Sequence, residues 1–217
     1  MKTDIPVLKD IVLVGGGHAH VSVLRMFGMK PILGVRLTLI TRDIHTPYSG
    51  LLPGYVAGHY DYDEVHIDLC PLARFAAARL YHGEVDGIDP GERLVHVPGR
   101  PPVHYDLLSI NTGSRPRTID VPGALEHALP VKPIDQWLRD WQTLQTRVLS
   151  NHGDFRIVVV GGGAGGVELA LSTQQHLKGR LREQGEEVSR LHYALFTDGP
   201  EILPTHNAGV RRRFMRV

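Results

Sequence analysis

Two glycine-rich segments, each directly after a short apolar run, constrain the fold of this 217-residue sequence more than any other feature. Residues 15–17 (Gly-Gly-Gly) follow the run Ile-Val-Leu-Val at 11–14, and residues 161–166 (Gly-Gly-Gly-Ala-Gly-Gly) follow Ile-Val-Val-Val at 157–160. Such a run is typical of a parallel strand that is buried on both faces. Each segment therefore predicts a strand that turns sharply into a helix, and the pattern recurs after 146 residues (161 minus 15).

The second glycine segment is the more complete of the two. Gly161 permits a tight turn, Gly163 lets the backbone approach a pyrophosphate, and Gly166 lets the following helix pack close to the strand. The anion would then lie at the N-terminus of that helix, where free N–H groups and the helix dipole favour negative charge. The segment predicts a dinucleotide site; the alternative is a glycine-rich turn without a ligand.

The first glycine segment keeps two glycines and has His20 in place of the third. This residue requires the helix to stand farther from the strand, or its side chain to point away from it. A contact between His20 and a nucleotide remains open, as does a role in packing or towards solvent. Arg42, after the next predicted strand, could stack on an adenine or meet a phosphate, and Asp43 could reach a ribose.

The order of predicted elements gives the fold class, since each glycine segment opens a β-α-β unit. The elements of these two units are residues 11–14, 18–29 and 35–40, then 157–160, 167–177 and 191–196. We predict an α/β protein with two doubly wound, three-layer units at residues 1–118 and 119–217. The second unit stops after about one β-α-β, so we expect it to be truncated.

The region between the glycine segments begins with residues 43–63, which are rich in Tyr, Pro and Gly. A loop of that length is too long for a passive connection, so we expect it to cover a site. A short helix, three strands and a linker follow, at residues 69–78, 79–82, 93–97, 107–110 and 115–132. Residues 93–105 alternate in polarity around Pro98-Gly99 and predict an antiparallel hairpin.

A helix is predicted to begin at Pro133, a residue type favoured at the first helical position. Its apolar residues recur on one face, and we interpret Trp137 and Trp141 as core anchors, with cofactor stacking as the alternative. Cys70 is interpreted as a buried structural thiol.

Composition excludes several classes of function. A net charge of +1 gives no reason to expect a nucleic-acid partner, and no charge-free apolar run reaches the ~18 residues of a membrane span. One cysteine forbids an internal disulfide and suits a reducing compartment, so we expect a cytoplasmic location. The thirteen histidines are scattered without ligand spacing, so no metal site is predicted.

The two glycine segments, with Asn-Thr-Gly-Ser at 111–114 between them, resemble the two-dinucleotide flavoproteins. That superfamily includes type II NADH dehydrogenases, sulfide:quinone reductases and pyridine-nucleotide disulfide reductases. The stretches LVGGGHAHVSVLR (13–25), TPYSGLLPGYVAGHY (46–60) and YDLLSINTGSRP (105–116) are similar to the flavoprotein domain fused ahead of selenide, water dikinase in some bacteria. The resemblance covers essentially the whole chain, which would be an N-terminal fragment of such a protein.

This resemblance implies FAD in the first unit and NAD(P)H in the second. It places Pro53 near the isoalloxazine ring, the backbone of Val85 near adenine, the Thr112-Gly113 turn near FAD and Glu168 near the nicotinamide. The alternatives are a surface loop ordered by its own prolines at residues 48–54 and, for Glu168, an acid in the first turn of the predicted helix that the helix dipole favours. The full set of implied cofactor-binding residues is Gly15, Gly17, His18, Ala19, Arg42, Pro53, Val85, Thr112, Gly113, Gly161, Gly163, Gly166 and Glu168. No side chain is expected to act as a catalytic nucleophile, because the flavin carries the chemistry.

The implied activity is that of an FAD-dependent NAD(P)H dehydrogenase, which passes hydride from NAD(P)H to flavin and on to a quinone-like or other small-molecule acceptor. Residues 43–63 lack the Cys-x-x-x-x-Cys pair of the disulfide reductases, which argues against a thiol relay and weakens a sulfide:quinone reductase assignment. The alternative is a non-catalytic nucleotide-binding or regulatory module associated with selenophosphate synthesis. We expect peripheral membrane contact only through a segment beyond this chain, and an incomplete second unit or one completed in a homodimer.

Overall fold

The computed structural model describes residues 6–114 and 121–216, which divide into two compact units. The first unit consists of residues 1–48 and 66–133, and the second of residues 49–65 and 134–217. The predicted boundary at residue 118 lies outside the described residues.

The helices and strands alternate along much of the chain, which confirms the α/β class. In chain order they are β1 (Lys9–Val14), α1 (His18–Met29), β2 (Val35–Thr41), β3 (His45–Pro47), α2 (Leu52–Val56), α3 (Tyr62–Val65), β4 (His66–Asp68), α4 (Leu69–Phe75), β5 (Arg79–His82), β6 (Gly87–Asp89), β7 (Leu94–His96), β8 (Val103–His104), β9 (Leu107–Ile110), α5 (Ala124–His127), α6 (Ile134–Ser150), β10 (Phe155–Val160), α7 (Ala164–Glu183), β11 (Leu191–Phe196) and α8 (Ala208–Phe214).

The first unit is built on a parallel sheet with the strand order β5-β2-β1-β9. β1 lies inside the sheet and pairs with β2 on one side and β9 on the other, with Leu13 opposite Leu39 and Ser109. The carboxyl ends of these strands therefore meet at one edge, where β1 runs into its glycine turn.

Alternate residues of this sheet build two separate cores. Leu13, Leu37 and Leu39 pack on one face against α1 and α4. Val12 and Ile40 pack on the other face against a small antiparallel sheet, β6-β7-β8. β7 and β8 confirm the predicted hairpin, and this two-sided burial explains why the strands read as continuous apolar runs.

The second unit contains the parallel pair β10-β11 and the long helices α6 and α7. Trp137 and Trp141 on α6 are 6% and 4% exposed, and their rings stack with centroids 6.0 Å apart. The two tryptophans are thus core residues of the second unit, as predicted.

The structure corrects three local expectations. Residues 43–63 are not a plain loop, because β3, α2 and the start of α3 lie within them. Helix α2 belongs to the second unit, where its Leu52 and Val56 are buried and the helix packs against α7. The helix predicted at 69–78 ends at Phe75, since Ala77 takes a positive φ of 51° that a helix cannot continue. Cys70 is half-buried rather than buried. Within the described ranges, no helix combines the length and apolar character needed to cross a membrane.

Candidate functional site

Each unit contains a strand–glycine turn–helix junction, and equivalent backbone hydrogen bonds anchor the two turns. The N–H of Gly15 donates to the carbonyl of Ile40 at 2.8 Å, and the N–H of Gly161 donates to the carbonyl of Phe196 at 2.8 Å. Gly15 and Gly161 have φ values of +92° and +123°, which side-chain-bearing residues rarely adopt. The first glycine of each segment therefore makes the tight turn that the sequence predicts.

In the second unit, the junction leaves space for a ligand. A Cβ at Gly166 would overlap the carbonyl oxygen of Gly161, so the third glycine is required for helix α7 to approach the turn. Gly163, the residue that precedes α7, is exposed, and nothing lies within 4 Å of a Cβ built there. No side chain caps the helix N-terminus, so its first N–H groups can receive a pyrophosphate.

In the first unit, the glycines are required for a different reason. A Cβ at Gly15 would overlap the backbone oxygen of Asn111, and a Cβ at Gly17 would overlap its side-chain oxygen Oδ1. The Gly17 N–H also donates to the Asn111 carbonyl at 3.3 Å. The next residues, His18 and Ala19, are exposed at the uncapped start of α1, where an anion can reach the helix N-terminus.

His20 occupies the position of the third glycine and is only 1% exposed. Its Nδ1 lies 2.6 Å from the carbonyl oxygen of Gly15, and its Nε2 lies 2.9 Å from Oγ of Ser109 on β9. A carbonyl oxygen can only accept, so Nδ1 carries the proton and Ser109 donates to Nε2. The side chain ties the turn to the neighbouring strand, which favours the packing role over a nucleotide contact.

Burial lowers the pKa of His20, and the hydrogen bond to Gly15 only partly offsets that effect. Both ring nitrogens are satisfied in the neutral form, and protonation at Nε2 would require the Ser109 hydroxyl to turn from donor to acceptor while the buried ring gains a charge. A buried, neutral histidine thus replaces the close glycine contact seen in the second unit.

Several predicted cofactor residues of the first unit lie together at the carboxyl edge of the sheet. Thr112 and Gly113 follow β9 in exposed positions, and the Thr112 Cα lies 3.0 Å from a Cβ built at Gly15. The rings of His18 and Tyr48 make an edge contact with centroids 5.2 Å apart. Residue 48, where the Tyr-Ser-Gly segment begins, is thereby placed beside the start of α1.

Other predicted cofactor residues lie elsewhere. Pro53 is in α2 and Glu168 is an exposed residue of α7, both within the second unit. In the first unit, the side chain of Val85 packs against the core, which leaves only its backbone for the predicted contact. Arg42 is half-exposed and pairs with Asp43 at 2.7 Å, so an adenine or phosphate would compete with that carboxylate.

No motif in the sequence assigns an individual role to Asn111 or Ser109, yet both residues shape the first glycine turn. Their contacts reach residues about ninety positions earlier, Gly17 and His20, and no local pattern encodes such contacts. The available signal is the position of Asn111 directly after a predicted strand that neighbours β1. Within the described residues, no group of three or more His, Cys, Asp or Glu side chains could hold a metal ion.

Two strand–glycine turn–helix junctions, one per unit, define a class of α/β protein with two dinucleotide sites. The chain belongs to the pyridine nucleotide-disulphide oxidoreductase family, whose sequence profile matches residues 9–217.

Comparison with individual proteins finds similar oxidoreductases. The chain is 29% identical over 201 residues to the NADH dehydrogenase-like protein YutJ of Bacillus subtilis, covering 90% of this chain and 50% of the relative. It is 28% identical over 165 residues to the probable ferredoxin reductase CtmF of Castellaniella defragrans, covering 75% and 39%. The solved structure of NDH2 from Plasmodium falciparum in complex with NADH matches with a TM-score of 0.77 at 19% identity, covering 94% of this chain and 44% of that one. This chain therefore spans half or less of the length of these relatives, and the structural match shows the fold.

Proposed function

We propose that this chain is the dinucleotide-binding part of an FAD-dependent oxidoreductase that takes hydride from NAD(P)H. The observation that carries the proposal is the pair of strand–glycine turn–helix junctions, each with an uncapped helix N-terminus in an exposed position. Family membership supports the same conclusion. FAD, when bound, supplies the hydride-accepting chemistry, and the protein supplies binding and orientation.

The first unit is proposed to hold FAD at the carboxyl edge of its parallel sheet. The backbone N–H groups of His18 and Ala19 would bind the pyrophosphate, and the exposed Thr112-Gly113 turn beside Gly15 would approach the cofactor. The proposed task of His20 and Asn111 is to fix the turn on which these donors stand. Val85 would contribute its backbone and Arg42 its guanidinium.

The second unit is proposed to hold NAD(P)H, with its pyrophosphate in the open space at Gly163. Gly161 and Gly166 shape the turn, and Glu168 on α7 is proposed to lie towards the nicotinamide. Pro53 is proposed to approach the flavin through the backbone of the segment that contains it.

The acceptor, location and assembly are further proposals. A quinone-like small molecule is favoured because residues 43–63 lack the cysteine pair of a thiol relay, and YutJ is named as NADH dehydrogenase-like. The three sequence stretches quoted above support kinship with the domain fused to selenide, water dikinase. A cytoplasmic location rests on the cysteine usage, and a homodimer on the short second sheet, β10-β11.

The test is whether FAD binds at the start of α1. The chain is mixed with FAD, excess cofactor is removed, and the absorbance from 300 to 550 nm is recorded. Ala19→Glu places a carboxylate at the proposed pyrophosphate position, while the helix dipole favours the new charge and preserves folding. Arg25→Glu, an exposed change later on α1, is the matched control. We expect flavin bands with the wild type and the control and weakened binding with Ala19→Glu; equal retention by all three would contradict this site.

A further inference from the structure

A cavity of about 340 Å³ opens at the amino-terminal end of the first unit's parallel sheet. Arg36 on β2, Arg79 on β5 and Arg100 in the turn before β8 line it. The strand registers pair Asp10 with Arg36 and Thr38 with Arg79, so these side chains share one face of the sheet. The glycine turn is at the other end of β1, roughly 16 Å away at ~3.3 Å per strand residue. The cavity is therefore separate from the proposed FAD site.

One of the three arginines is neutralised within the protein. Arg36 binds Asp10 through a two-pronged ion pair, with Nη2 2.7 Å from Oδ2 and Nε in contact with Oδ1. The neighbouring Asp106 accepts from the Asp10 backbone N–H and from Lys9, and it is not part of the cavity lining. The Arg36–Asp10 ion pair therefore contributes polar but internally compensated groups to one side of the cavity.

Within residues 6–114 and 121–216, neither of the other two arginines has a carboxylate partner. The backbone of Arg79 pairs with β2, but its side chain makes no hydrogen bond or ion pair with these residues. The guanidinium of Arg100 lies 5.1 Å from the centroid of the Tyr81 ring, a cation–π contact that orients it and leaves its charge uncompensated. Two positive groups that share a cavity repel each other, and a bound dianion would remove that cost.

The remaining lining is suited to a compact ligand. Tyr81, Pro101 and Pro102 add flat apolar surface, and the volume is at the lower end for small-molecule pockets. Guanidinium groups bind phosphate oxygens through paired N–H donors, which makes phosphoryl groups matched partners for Arg79 and Arg100.

We propose that this cavity binds a small, multiply charged phosphate compound at a site independent of both glycine turns. Inorganic pyrophosphate and the phosphates of a nucleotide share this chemistry. Arg79 and Arg100 provide the charge, and the Arg36–Asp10 pair and Tyr81 hold the cavity's shape.

The experiment is a titration of the chain with inorganic pyrophosphate. Calorimetry measures the binding, and the NMR signals of the arginine Nε–Hε groups report which arginines take part. We expect saturable binding with shifts at Arg79 and Arg100. Arg79→Gln combined with Arg100→Gln should weaken this binding by about tenfold or more, since a charge-assisted hydrogen bond is worth roughly one factor of ten or more. Arg25→Gln, which removes an exposed arginine of α1, should leave it unchanged.

Further ligands distinguish the sources of the phosphoryl group. ADP that binds more tightly than pyrophosphate would indicate a nucleotide ligand, and equal affinities would indicate a free phosphate; both support the proposal. Malonate that binds as well as pyrophosphate would overturn the phosphoryl assignment. The site itself is overturned if pyrophosphate does not bind, if the double variant binds it equally, or if only the glycine-turn amides shift. Thermal unfolding verifies that the double variant folds. If it does not fold, the presence or absence of pyrophosphate-induced shifts at Arg79 and Arg100 in the wild type tests the site.

Discussion

The Nδ1 atom of His20 lies 2.6 Å from the carbonyl oxygen of Gly15, and this contact replaces a glycine packed against the equivalent carbonyl in the second unit. There, Gly166 meets the Gly161 carbonyl so closely that a Cβ would overlap it. The two junctions share the strand–turn–helix arrangement, but different contacts join the helix to the turn. In the first unit the hydrogen-bonded imidazole of His20 joins helix α1 to the turn, and in the second unit the backbone of helix α7 packs directly against the turn.

Replacement of His20 by alanine should destabilise the first unit substantially. The change removes both hydrogen bonds, leaves the Gly15 carbonyl and the Ser109 hydroxyl unsatisfied, and opens a cavity, so we expect a loss of about 2–4 kcal/mol in the free energy of unfolding. Urea unfolding followed by circular dichroism measures it. His127→Ala, at a strongly exposed position, should change stability by less than ~0.5 kcal/mol. Equal effects of the two substitutions would refute the anchoring role of His20.

The lowered pKa of His20 predicts acid sensitivity. In the unfolded chain the imidazole titrates near its ordinary pKa of 6.5, whereas burial lowers its pKa in the folded state. The stabilising contribution is therefore complete above about pH 6.5 and is lost as the pH falls towards the lower folded pKa, because only the unfolded state then binds the proton. His176 in the second unit, whose pKa burial also lowers, acts in the same direction.

Unfolding free energies at pH 7.5 and pH 5.5 separate these contributions. The wild type should lose stability at the lower pH, His20→Ala or His176→Gln should each lose less, and the double variant least. A drop that is identical in the wild type and the double variant would show that other groups control the acid response.

The second and third glycines of the motif in the second unit should respond differently to alanine. Gly163 has extended backbone angles and open space around it, so Gly163→Ala should change stability by less than ~0.5 kcal/mol but weaken NADH binding by about tenfold. Gly166→Ala should cost about 1–3 kcal/mol through overlap with the Gly161 carbonyl. NADH fluorescence titration and urea unfolding measure the two effects. Unchanged NADH affinity in Gly163→Ala would place the nucleotide elsewhere.

Arg190 is predicted to hold the end of α6 to the start of β11. It is 7% exposed, and its guanidinium donates to the carbonyls of Val148 at 3.3 Å and Gly153 at 3.4 Å, with Nε 3.5 Å from Glu186. Arg190→Met should destabilise the second unit by about 2–4 kcal/mol because it leaves the carbonyls of Val148 and Gly153 and the Glu186 carboxylate without this partner. Arg180→Met, which breaks only an exposed pair, should have little effect, as urea unfolding would show. Comparable losses in both variants would argue against a special role for Arg190.

Much of the fold follows from local sequence signals, because buried parallel strands and amphipathic helices carry strong periodic patterns. The helix at 18–29 and the strand at 191–196 have the predicted bounds. Helix α2 was missed because its sequence, Leu-Pro-Gly-Tyr-Val, has poor helix propensity, and it forms where burial of Leu52 and Val56 outweighs that propensity.

The candidate site was harder to predict than the fold. Gly163 is placed as the motif implies, but the constraint on Gly17 comes from Asn111, a contact that only the pairing of β1 with β9 creates. The role of His20 stayed open for the same reason, since its partner Ser109 is 89 residues away. The individual cofactor contacts remain predictions.

The most direct test of the proposed oxidoreductase is the anaerobic addition of NADH, and then NADPH, to the FAD-loaded chain. We expect the flavin band near ~450 nm to lose intensity in proportion to added nucleotide, and to do so more slowly in Gly163→Ala. A retained flavin whose band neither nucleotide changes, or a chain that retains no flavin, would contradict it.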